Sequence, residues 1–389
     1  MASTSTIHDL VVVGLGAFGS ATLFHAARLG LDVVGIDRHD PPHAFGSSHA
    51  ETRVTRLAVG EGDHYVPFAR RSHELWRELE REGDEPLLHD TGGLIICPAA
   101  GDTDERWGDF VGATEGVAQR ADLDFERLDP ATARRRFPGF RIGDHEAVGF
   151  EPAGGLVMAE FAVTAHLAAA RRRGAATHVN TTVTGIDTAS SGAIVRTDRG
   201  DHCARRVVVC AGPWTASLSD ARRLRVTRQE VYWFEADLDI WHSERNAFAI
   251  WAGAEMADYL GVFAVPPNAP FQAVKLVPEQ FAIATDPATV DRTISDNDVE
   301  RFFETMVAPR LNGVTNRCVN RSVCLYTNTT DDHFLIDTLP DSENVTVVSA
   351  CSGHGFKHSA AIGEALAQQA TGLDHLDLEP FRRNHRQPW

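Results

Sequence analysis

Two lysines stand out among the side chains that could do chemistry. Of the 37 basic residues, only Lys275 and Lys357 are lysine, and all the others are arginine. A lysine ammonium is a compact charge with a tunable pKa, which the planar and permanently charged guanidinium cannot replace. We therefore predict that both positions need an ammonium group. The alternative is the chance survival of two lysines in an arginine-rich chain.

Six cysteines form the other reactive set, at positions 97, 203, 210, 318, 324 and 351. They form neither a Cys-x-x-Cys pair nor a zinc-like spacing with histidine, so we predict no metal site. The first nine residues are polar and lack the pattern of a signal peptide, which predicts a cytoplasmic chain. Cysteines in a cytoplasmic chain are normally reduced and buried, and we expect this of five of the six.

A glycine-rich turn near the N-terminus predicts a dinucleotide site. An apolar strand over residues 10–13 leads into Gly-x-Gly-x-x-Gly over 14–19, and a helix is predicted over 20–29. A second strand over 33–36 completes the strand–turn–helix–strand context that this motif requires. An ordinary βαβ unit with a glycine-rich turn is the alternative.

The individual residues of this motif fit that interpretation. Gly14 permits the tight turn, Gly16 lets the backbone approach a pyrophosphate, and Gly19 lets helix and strand pack closely. Asp37 ends the second strand, where a carboxylate can bind ribose hydroxyls and repel a 2′-phosphate. The motif predicts a dinucleotide without choosing between FAD and NAD.

Periodicity and breaker residues predict the other elements. We expect helices over 65–82, 129–138, 159–173 and 359–371, and strands over 91–97, 179–186, 193–197, 207–210 and 345–349. Residues 228–285 alternate apolar and polar segments and predict an antiparallel sheet.

Charge and hydropathy exclude several function classes. The formal net charge of −17 argues against binding to nucleic acid or to an anionic membrane surface. No apolar run reaches the ~18 residues that a membrane span needs.

Short motifs spread over nearly the whole chain carry a family resemblance. They are Asp40-Pro41-Pro42-His43, the segment Gly46-Ser47-Ser48-His49-Ala50-Glu51-Thr52-Arg53-Val54-Thr55-Arg56, Gly60-Glu61-Gly62, Tyr65-Val66-Pro67, Phe150-Glu151-Pro152, Val208-Val209-Cys210-Ala211-Gly212-Pro213-Trp214, Cys324-Leu325-Tyr326-Thr327 and Ser352-Gly353-His354-Gly355-Phe356-Lys357. Together they resemble the family of monomeric sarcosine oxidase and N-methyltryptophan oxidase, which are FAD-dependent amine oxidases. The resemblance is weakest over 100–145 and 235–290.

This resemblance implies an α/β fold of the α+β type. We expect a discontinuous Rossmann-type FAD-binding domain over 1–82, 150–222 and 320–389. A second, substrate domain built on an antiparallel sheet is expected over 83–149 and 223–319. We also expect a monomer.

The resemblance also assigns cofactor-binding residues. It implies a thioether bond between Cys324 and the flavin 8α-methyl group, which suits a soft nucleophile; an inert buried cysteine is the alternative. Further cofactor contacts are expected from Ser47, Thr52, Gly353, Gly355 and Lys357.

Catalytic and substrate-binding roles follow from the same resemblance. Lys275 would lie near flavin N5 and stabilise the anion formed from O₂, while Arg56 and Lys357 would hold the substrate carboxylate. Arg53 would lie close to the flavin ring. His354 would stand at a helix N-terminus near the N1–C2=O edge, and Tyr326 would border the pocket.

One region departs from the family pattern. Sarcosine oxidases carry a histidine beside the substrate, four residues after the oxygen-activating lysine. This chain carries Glu279 there, and the resemblance implies that Glu279 contacts the substrate. Trp251 and Leu260 are expected to replace a smaller residue and a tyrosine in the pocket. These differences favour a larger or cyclic secondary amino acid over sarcosine.

The predicted function is FAD-dependent oxidation of an N-methyl or cyclic amino acid to an imine, with O₂ reduced to hydrogen peroxide. One alternative is an FAD dehydrogenase that passes its electrons to another acceptor, and another is a flavin-carrying subunit of a larger complex. An NAD-dependent dehydrogenase would rest on the glycine motif alone and leave Cys324 and the turn over 352–357 unexplained.

Overall fold

Three β-sheets and their covering helices make up the described structure. The computed structural model describes residues 7–83, 85–99, 109–219, 224–253, 259–373 and 376–382. Across these ranges we find no helix with the length and hydropathy of a membrane span.

The first sheet has eight strands and a parallel centre. Its strands are Ile7–Val13 (β1), Val33–Ile36 (β2), Ala176–His178 (β9), Val183–Ala189 (β10), Gly192–Thr197 (β11), Gly200–Val209 (β12), Leu335–Leu339 (β18) and Ser342–Ser349 (β19). Strands β19, β12, β1, β2 and β9 run parallel in that order. Strand β1 is apolar on both faces because Leu10 and Val12 pack into one core cluster and Val11 and Val13 into another.

Three helices pack together on one side of this sheet: Ala17–Arg28 (α1), Ala159–Arg172 (α5) and Ser359–Thr371 (α9). Helix α1 approaches α9 closely because Gly363 faces it without a side chain. A Cβ atom at Gly363 would lie 2.4 Å from the Cβ of Ala21. This close packing fixes the N-terminal ends of α1 and α9 on the same side of the molecule.

The second sheet also has eight strands and is mainly antiparallel. Its order is Val314–Asn328 (β17), Arg225–Ala236 (β13), Val274–Glu279 (β16), Tyr259–Phe263 (β15), Phe248–Ala252 (β14), Gly93–Pro98 (β5), Glu146–Glu151 (β7) and Glu126–Leu128 (β6). Only the β14–β5 pair among these described strands is parallel. The antiparallel sheet predicted over 228–285 is confirmed by β13 to β16.

A small third sheet joins the two larger units. It consists of Thr52–Thr55 (β3), Leu88–Asp90 (β4) and Gly155–Met158 (β8), with β8 in the centre. The other helices are Val66–Glu80 (α2), Phe110–Arg120 (α3), Pro130–Arg136 (α4), Thr215–Leu218 (α6), Leu238–Trp241 (α7) and Asp296–Phe302 (α8).

The predicted fold class is confirmed, because a Rossmann-type parallel sheet and a separate, mainly antiparallel sheet are both present. The predicted boundaries at 149/150 and 319/320 fall inside β7 and β17. Both strands pair along their lengths within the second sheet. The strand predicted over 179–186 begins only at Val183.

Candidate functional site

The glycine turn between β1 and α1 has no room for side chains. Gly14 has a φ of +86°, and a Cβ atom there would lie 2.4 Å from the carbonyl oxygen of Cys210. A Cβ atom at Gly19 would lie 1.8 Å from the carbonyl oxygen of Gly14. At Gly16 the added atom would meet only Ser48, at 3.1 Å, so the backbone there is open towards the adjoining cleft. The turn therefore presents bare backbone to a ligand, as a pyrophosphate site requires.

Asp37 directly follows β2 and lines the same cleft. Its carboxylate accepts hydrogen bonds from the backbone N–H groups of Leu15 (2.7 Å) and His39 (2.8 Å). Burial alone would raise the pKa of Asp37, but hydrogen bonds from His43 and these N–H groups hold the pKa below its usual value. The ionised carboxylate is thus fixed where ribose hydroxyls would lie in a dinucleotide site.

We call this opening the dinucleotide cleft. Its lining includes Gly14, Gly16, Asp37, Ser47, Arg53, Cys210, Tyr326, Cys351, Gly353, Gly355 and Phe356. The open backbone at Gly16 and the fixed carboxylate of Asp37 fit the phosphate and ribose portions of FAD.

A second cavity adjoins the dinucleotide cleft. Arg53, Tyr326, Gly353 and Phe356 line both openings, so these four residues form the shared wall. The second cavity is also lined by Arg56, Glu61, Phe110, Gln229, Ile250, Tyr259, Phe263, Lys275, Glu279, Cys324, His354 and Lys357. We call it the lysine cavity, because both lysines of the chain line it.

The two lysines are buried despite their charge. Lys275 is 2% exposed and Lys357 is 3% exposed. A buried ammonium is unfavourable unless other groups compensate it. Their shared location makes chance survival of these lysines a poor explanation.

Backbone carbonyls compensate Lys275. Its Nζ donates hydrogen bonds to the carbonyl oxygens of Ala50 (3.0 Å) and Thr52, and it lies 3.8 Å from the centre of the Phe263 ring. Burial lowers the pKa of Lys275 well below its ordinary value, and the nearby Arg53 lowers it further. The ammonium is therefore held in place but is easily deprotonated.

An unusual backbone conformation brings these carbonyls to Lys275. Ala50 and Glu51 have φ values of 74° and 71°, in the left-handed region, which costs on the order of 1–3 kcal/mol for each non-glycine residue. The Glu51 N–H donates to the Glu160 carboxylate, and the Glu51 carbonyl accepts from Ala159 at 2.8 Å. These bonds hold the turn in its strained form.

The side chain of Glu51 is buried close to Lys275. It accepts a hydrogen bond from Trp233 Nε1 at 3.1 Å. Burial raises the pKa of Glu51 to about 7, and the positive charge of Lys275 opposes that rise. Glu51 is thus a buried acid whose charge favours the ammonium form of Lys275, although Glu51 does not itself line the lysine cavity.

The two cations predicted to hold a carboxylate lie at another part of this cavity, together with an acidic residue. Arg56 Nη2 donates a 2.6 Å hydrogen bond to Glu61 Oε2, and Lys357 Nζ lies 3.9 Å from Glu61 Oε1. Burial would raise the pKa of Glu61, but Arg56 and Lys357 hold it far below its usual range. The charges of Arg56, Lys357 and Glu61 sum to one net positive charge. The buried Glu151, whose pKa burial raises, also interacts with both cations.

His354 adds no charge to the cluster. Its Nε2 lies 3.0 Å from the Asp332 carbonyl oxygen, so Nε2 carries the proton and Nδ1 does not. Burial, together with Lys357, lowers the pKa of His354 to about 3. Lys357 also donates to the His354 carbonyl oxygen at 2.7 Å, which ties the cation to the turn over 352–357.

Glu279 lies at the end of β16, between two tyrosines. Tyr259 is directly opposite on β15, and the hydroxyls of Tyr259 and Tyr326 hydrogen-bond to its carboxyl group. Burial raises the pKa of Glu279 to about 7 against the influence of these hydroxyls and of Arg53. This carboxyl group therefore titrates near neutral pH.

Cys324 lies on β17 at the border between the two openings. Its Sγ atom is 3.5 Å from Arg53 Nη2 and 3.7 Å from the carbonyl oxygen of Ser47. Cys324 lines the lysine cavity, and Ser47 lines the dinucleotide cleft. Two other thiols, those of Cys210 and Cys351, line the cleft, and burial raises the pKa of both.

Comparison with known proteins identifies the family. The model of a family of FAD dependent oxidoreductases, DAO, matches residues 9–369. The N-methyl-L-tryptophan oxidase of Salmonella typhimurium is 33% identical over 378 residues, which are 96% of this chain and 98% of that protein. The chain belongs to this family. It is an FAD-dependent oxidoreductase, and the resemblance noted from its motifs is confirmed.

Solved structures agree with this fold. NikD, an unusual amino acid oxidase essential for nikkomycin biosynthesis, is 24% identical with a TM-score of 0.83, covering 97% of this chain and 98% of that one. L-proline dehydrogenase from P. horikoshii is 19% identical with a TM-score of 0.78 and 97% coverage of both chains. Glycine oxidase from Geobacillus kaustophilus has a TM-score of 0.74 at 19% identity, covering 96% of this chain and 98% of that one.

Most predicted site residues of this FAD-dependent oxidoreductase meet at the two openings. Four of the predicted cofactor-binding residues do not line the dinucleotide cleft in the described structure: Gly19, Thr52, Cys324 and Lys357. Gly19 acts through helix–strand packing, and Thr52 offers its carbonyl oxygen to Lys275 and Arg53. Lys357 lines only the lysine cavity of the two openings.

The expectation that Trp251 and Leu260 lie in the pocket is wrong. Both belong to the core cluster on the opposite side of the second sheet, and Trp251 Nε1 donates to Glu146 at 2.6 Å. Side chains alternate between the faces of a strand. Ile250 and Tyr259, one position earlier in each strand, therefore line the lysine cavity instead.

Among the residues in or beside the lysine cavity for which the sequence predicted no function are Glu51, Glu61 and Tyr259. Glu51 and Glu61 lie within the family motifs, so their position beside Arg53 and Arg56 was the available signal. For Tyr259 the signal was its place in the aromatic strand before Lys275.

Proposed function

We propose that this enzyme oxidises a secondary amino acid, N-methyl or cyclic, to the corresponding imine and reduces O₂ to hydrogen peroxide. The observation that carries the proposal is the net single positive charge of Arg56, Lys357 and Glu61 in a cavity that also holds Lys275. One substrate carboxylate neutralises that charge. The N-methyl-L-tryptophan oxidase relatives, named for an N-methyl amino acid, support this substrate class.

Binding of the carboxylate requires Glu61 to give up part of its contact with Arg56. The guanidinium is a planar fork that can hold two oxygens at once. Its Nη1 donates to the Ala58 carbonyl oxygen at 2.8 Å, so the side chain stays anchored while Nη2 changes partner. Lys357, fixed by the His354 carbonyl, supplies the second contact.

FAD, when bound, accepts the two electrons and the hydrogen from the C–H bond next to the substrate nitrogen and passes electrons to O₂. The residues around it orient the substrate and stabilise negative charge that develops on oxygen. Arg56 and Lys357 fix the substrate by its carboxylate, which holds the reacting carbon beside the shared wall of the two openings. Lys275 presents its ammonium, held by two carbonyls, to negative charge that develops on oxygen.

We also propose that FAD is attached to Cys324 through a thioether bond. Its sulfur lies beside the wall shared by the cleft and the lysine cavity, and Arg53 Nη2 donates a hydrogen bond to it at 3.5 Å. Cys210 and Cys351 lack a comparable contact with a cation among the described residues, which makes them suitable controls.

A peroxide-release screen over N-methyl and cyclic amino acids of both chiralities tests the proposed function. An oxidase gives one peroxide per substrate consumed in air. An enzyme that is reduced by substrate anaerobically but reoxidises slowly in air would instead be a dehydrogenase. Absence of reduction by every amino acid tested would refute the substrate class.

A further inference from the structure

Glu279 is a half-buried residue with a fully buried Oε2 atom, and the proposed substrate binding does not use it. It follows Lys275 and Val277 at intervals of two along β16, so all three side chains point to the same face. All three line the lysine cavity. Glu279 therefore shares one chamber with the carboxylate-binding cations and the proposed oxygen-activating ammonium.

The carboxyl group is fixed on one side and open on the other. Tyr259 and Tyr326 hydrogen-bond to it, while its Oε2 atom has no partner among the described residues. Gly353 lies close to Oε2, since a Cβ atom added at this glycine would be 3.5 Å from it. Because residue 353 is a glycine, no side chain blocks Oε2 on that side.

Gly353 also lies in the wall that the lysine cavity shares with the dinucleotide cleft. The free oxygen of Glu279 thus faces the boundary between the two openings. A substrate held by Arg56 and Lys357 must bring its nitrogen and adjacent carbon to that boundary to react.

The charges around Glu279 leave it poised between its two protonation states. Burial raises its pKa to about 7, whereas Tyr259, Tyr326, Arg53 and Lys357 favour the ionised form. Glu61 raises the pKa of Tyr259, and Arg56 lowers it. A group whose pKa lies near the working pH is suited to accept a proton and to release it.

We infer that Glu279 recognises the substrate's ammonium group and takes a proton from it before oxidation. This inference rests on the proposed function. An amino acid exists mainly as a zwitterion at neutral pH, but only a neutral amine has the nitrogen lone pair needed to form an imine. In the proposed step the N–H bond breaks, its electron pair stays on nitrogen, and the proton forms an O–H bond on Glu279. No electrons leave the substrate in this step.

Two carboxylates of the same shape, one with a positive charge and one without it, test whether the site recognises positive charge. Trimethylglycine carries a quaternary ammonium where 3,3-dimethylbutanoate carries a neutral carbon, and neither can be oxidised to an imine. Their dissociation constants can be measured on the holoenzyme from the perturbation of flavin absorption. The ratio of the two constants cancels effects on the carboxylate contacts, including titration of Lys357.

For the wild type we expect trimethylglycine to bind about tenfold or more tightly than its neutral analogue at pH 8.5. The preference should fade below pH 6, as Glu279 becomes protonated. Glu279→Gln should abolish the preference at both pH values, and Glu279→Asp should retain part of it. Equal binding of both analogues by the wild type at pH 8.5 would overturn the inference and leave the proposed function intact. Failure of both to bind would instead count against the carboxylate site itself.

Anaerobic reduction by a secondary amino acid tests the proton transfer. In the wild type, the second-order rate constant for flavin reduction, measured at low substrate concentration, should fall below pH ~7. In Glu279→Gln the plateau above pH ~7 should vanish, and the rate should keep rising about tenfold per pH unit towards the pKa of the substrate amine. An unchanged profile in Glu279→Gln would contradict the inference. If that variant does not retain flavin, the pH dependence of the wild-type binding ratio decides alone.

Discussion

Arg56 and Glu61 form a 2.6 Å ion pair inside the cavity where we place the substrate carboxylate. The enzyme thus holds a carboxylate of its own against the cation proposed to bind the substrate. This pair neutralises a buried guanidinium when no substrate is bound, and it leaves a single net positive charge with Lys357. Glu61 therefore competes with every carboxylate ligand.

Replacing Glu61 by glutamine should strengthen the binding of carboxylate ligands. The variant leaves two uncompensated cations, so we expect the dissociation constant of 3,3-dimethylbutanoate to fall by about tenfold, within the range for hydrogen bonds to charged groups. Asp63→Asn, two residues away on the surface and paired with Arg120, is the matched control and should change nothing. Weaker binding by Glu61→Gln would show that Glu61 supports the ligand directly.

Carboxylate binding should weaken as pH rises through about 8. Burial lowers the pKa of Lys357 to about 8, and Glu61 partly opposes this shift. The ammonium is present below that pH and is lost above it, so affinity for 3,3-dimethylbutanoate should fall on the alkaline side. In Lys357→Met the affinity should be low and independent of pH between 7 and 9. A wild-type affinity that does not vary over this range would exclude Lys357 from the site.

Lys275→Met should slow reoxidation by O₂ by at least about tenfold and leave anaerobic reduction by substrate much less affected. The ammonium acts on charge that develops during oxygen reduction and does not contact the substrate carboxylate. Stopped-flow measurements of the two half-reactions separate these effects. Equal slowing of both half-reactions would contradict the role proposed for Lys275 in oxygen reduction.

Glu51→Gln should shift the pH dependence of reoxidation towards lower pH. The negative charge of Glu51 favours the ammonium form of Lys275, so its removal lowers the pKa of the lysine further. Fewer molecules then carry the ammonium at neutral pH, and reoxidation slows there but recovers on acidification. The pH titration of the flavin absorption spectrum should move in the same direction. A slower rate without any shift of the pH profile would indicate loss of packing alone.

Covalent attachment predicts that the yellow colour stays with acid-precipitated protein. Cys324→Ala should release the colour, whereas Cys351→Ala and Cys210→Ala, which alter thiols of the dinucleotide cleft, should retain it. Release of the colour from the wild type would refute the thioether bond. Retention of the colour in Cys324→Ala would show that the flavin is bound covalently to another residue.

Much of the site could be predicted because its signals are local. The turn at Gly14 excludes side chains through contacts that any strand–turn–helix unit of this kind makes. Lys275 and Lys357 stood out because the chain otherwise uses arginine, and both lie buried in one cavity. In these cases residue type and spacing were sufficient.

Other features depend on geometry that the sequence does not specify. The carbonyls that hold Lys275 belong to Ala50 and Thr52, and the chain there passes through left-handed conformations at Ala50 and Glu51, which non-glycine residues seldom adopt. Trp251 was assigned to the wrong face because a shift of one residue exchanges the two faces of a strand. The pairing of Glu61 with Arg56 depends on the turn after β3, and a glutamate between two glycines otherwise suggests a solvated loop.

Anaerobic titration of the purified holoenzyme tests the central claim most directly. The two titrants are an N-methyl or cyclic amino acid that serves as substrate and the amine that remains after its carboxylate is removed. Our account predicts that the amino acid bleaches the flavin absorption at low concentration and that the decarboxylated amine does so at least about a hundredfold less efficiently, since it forfeits two charge-assisted contacts. Equal bleaching by both compounds would contradict the account.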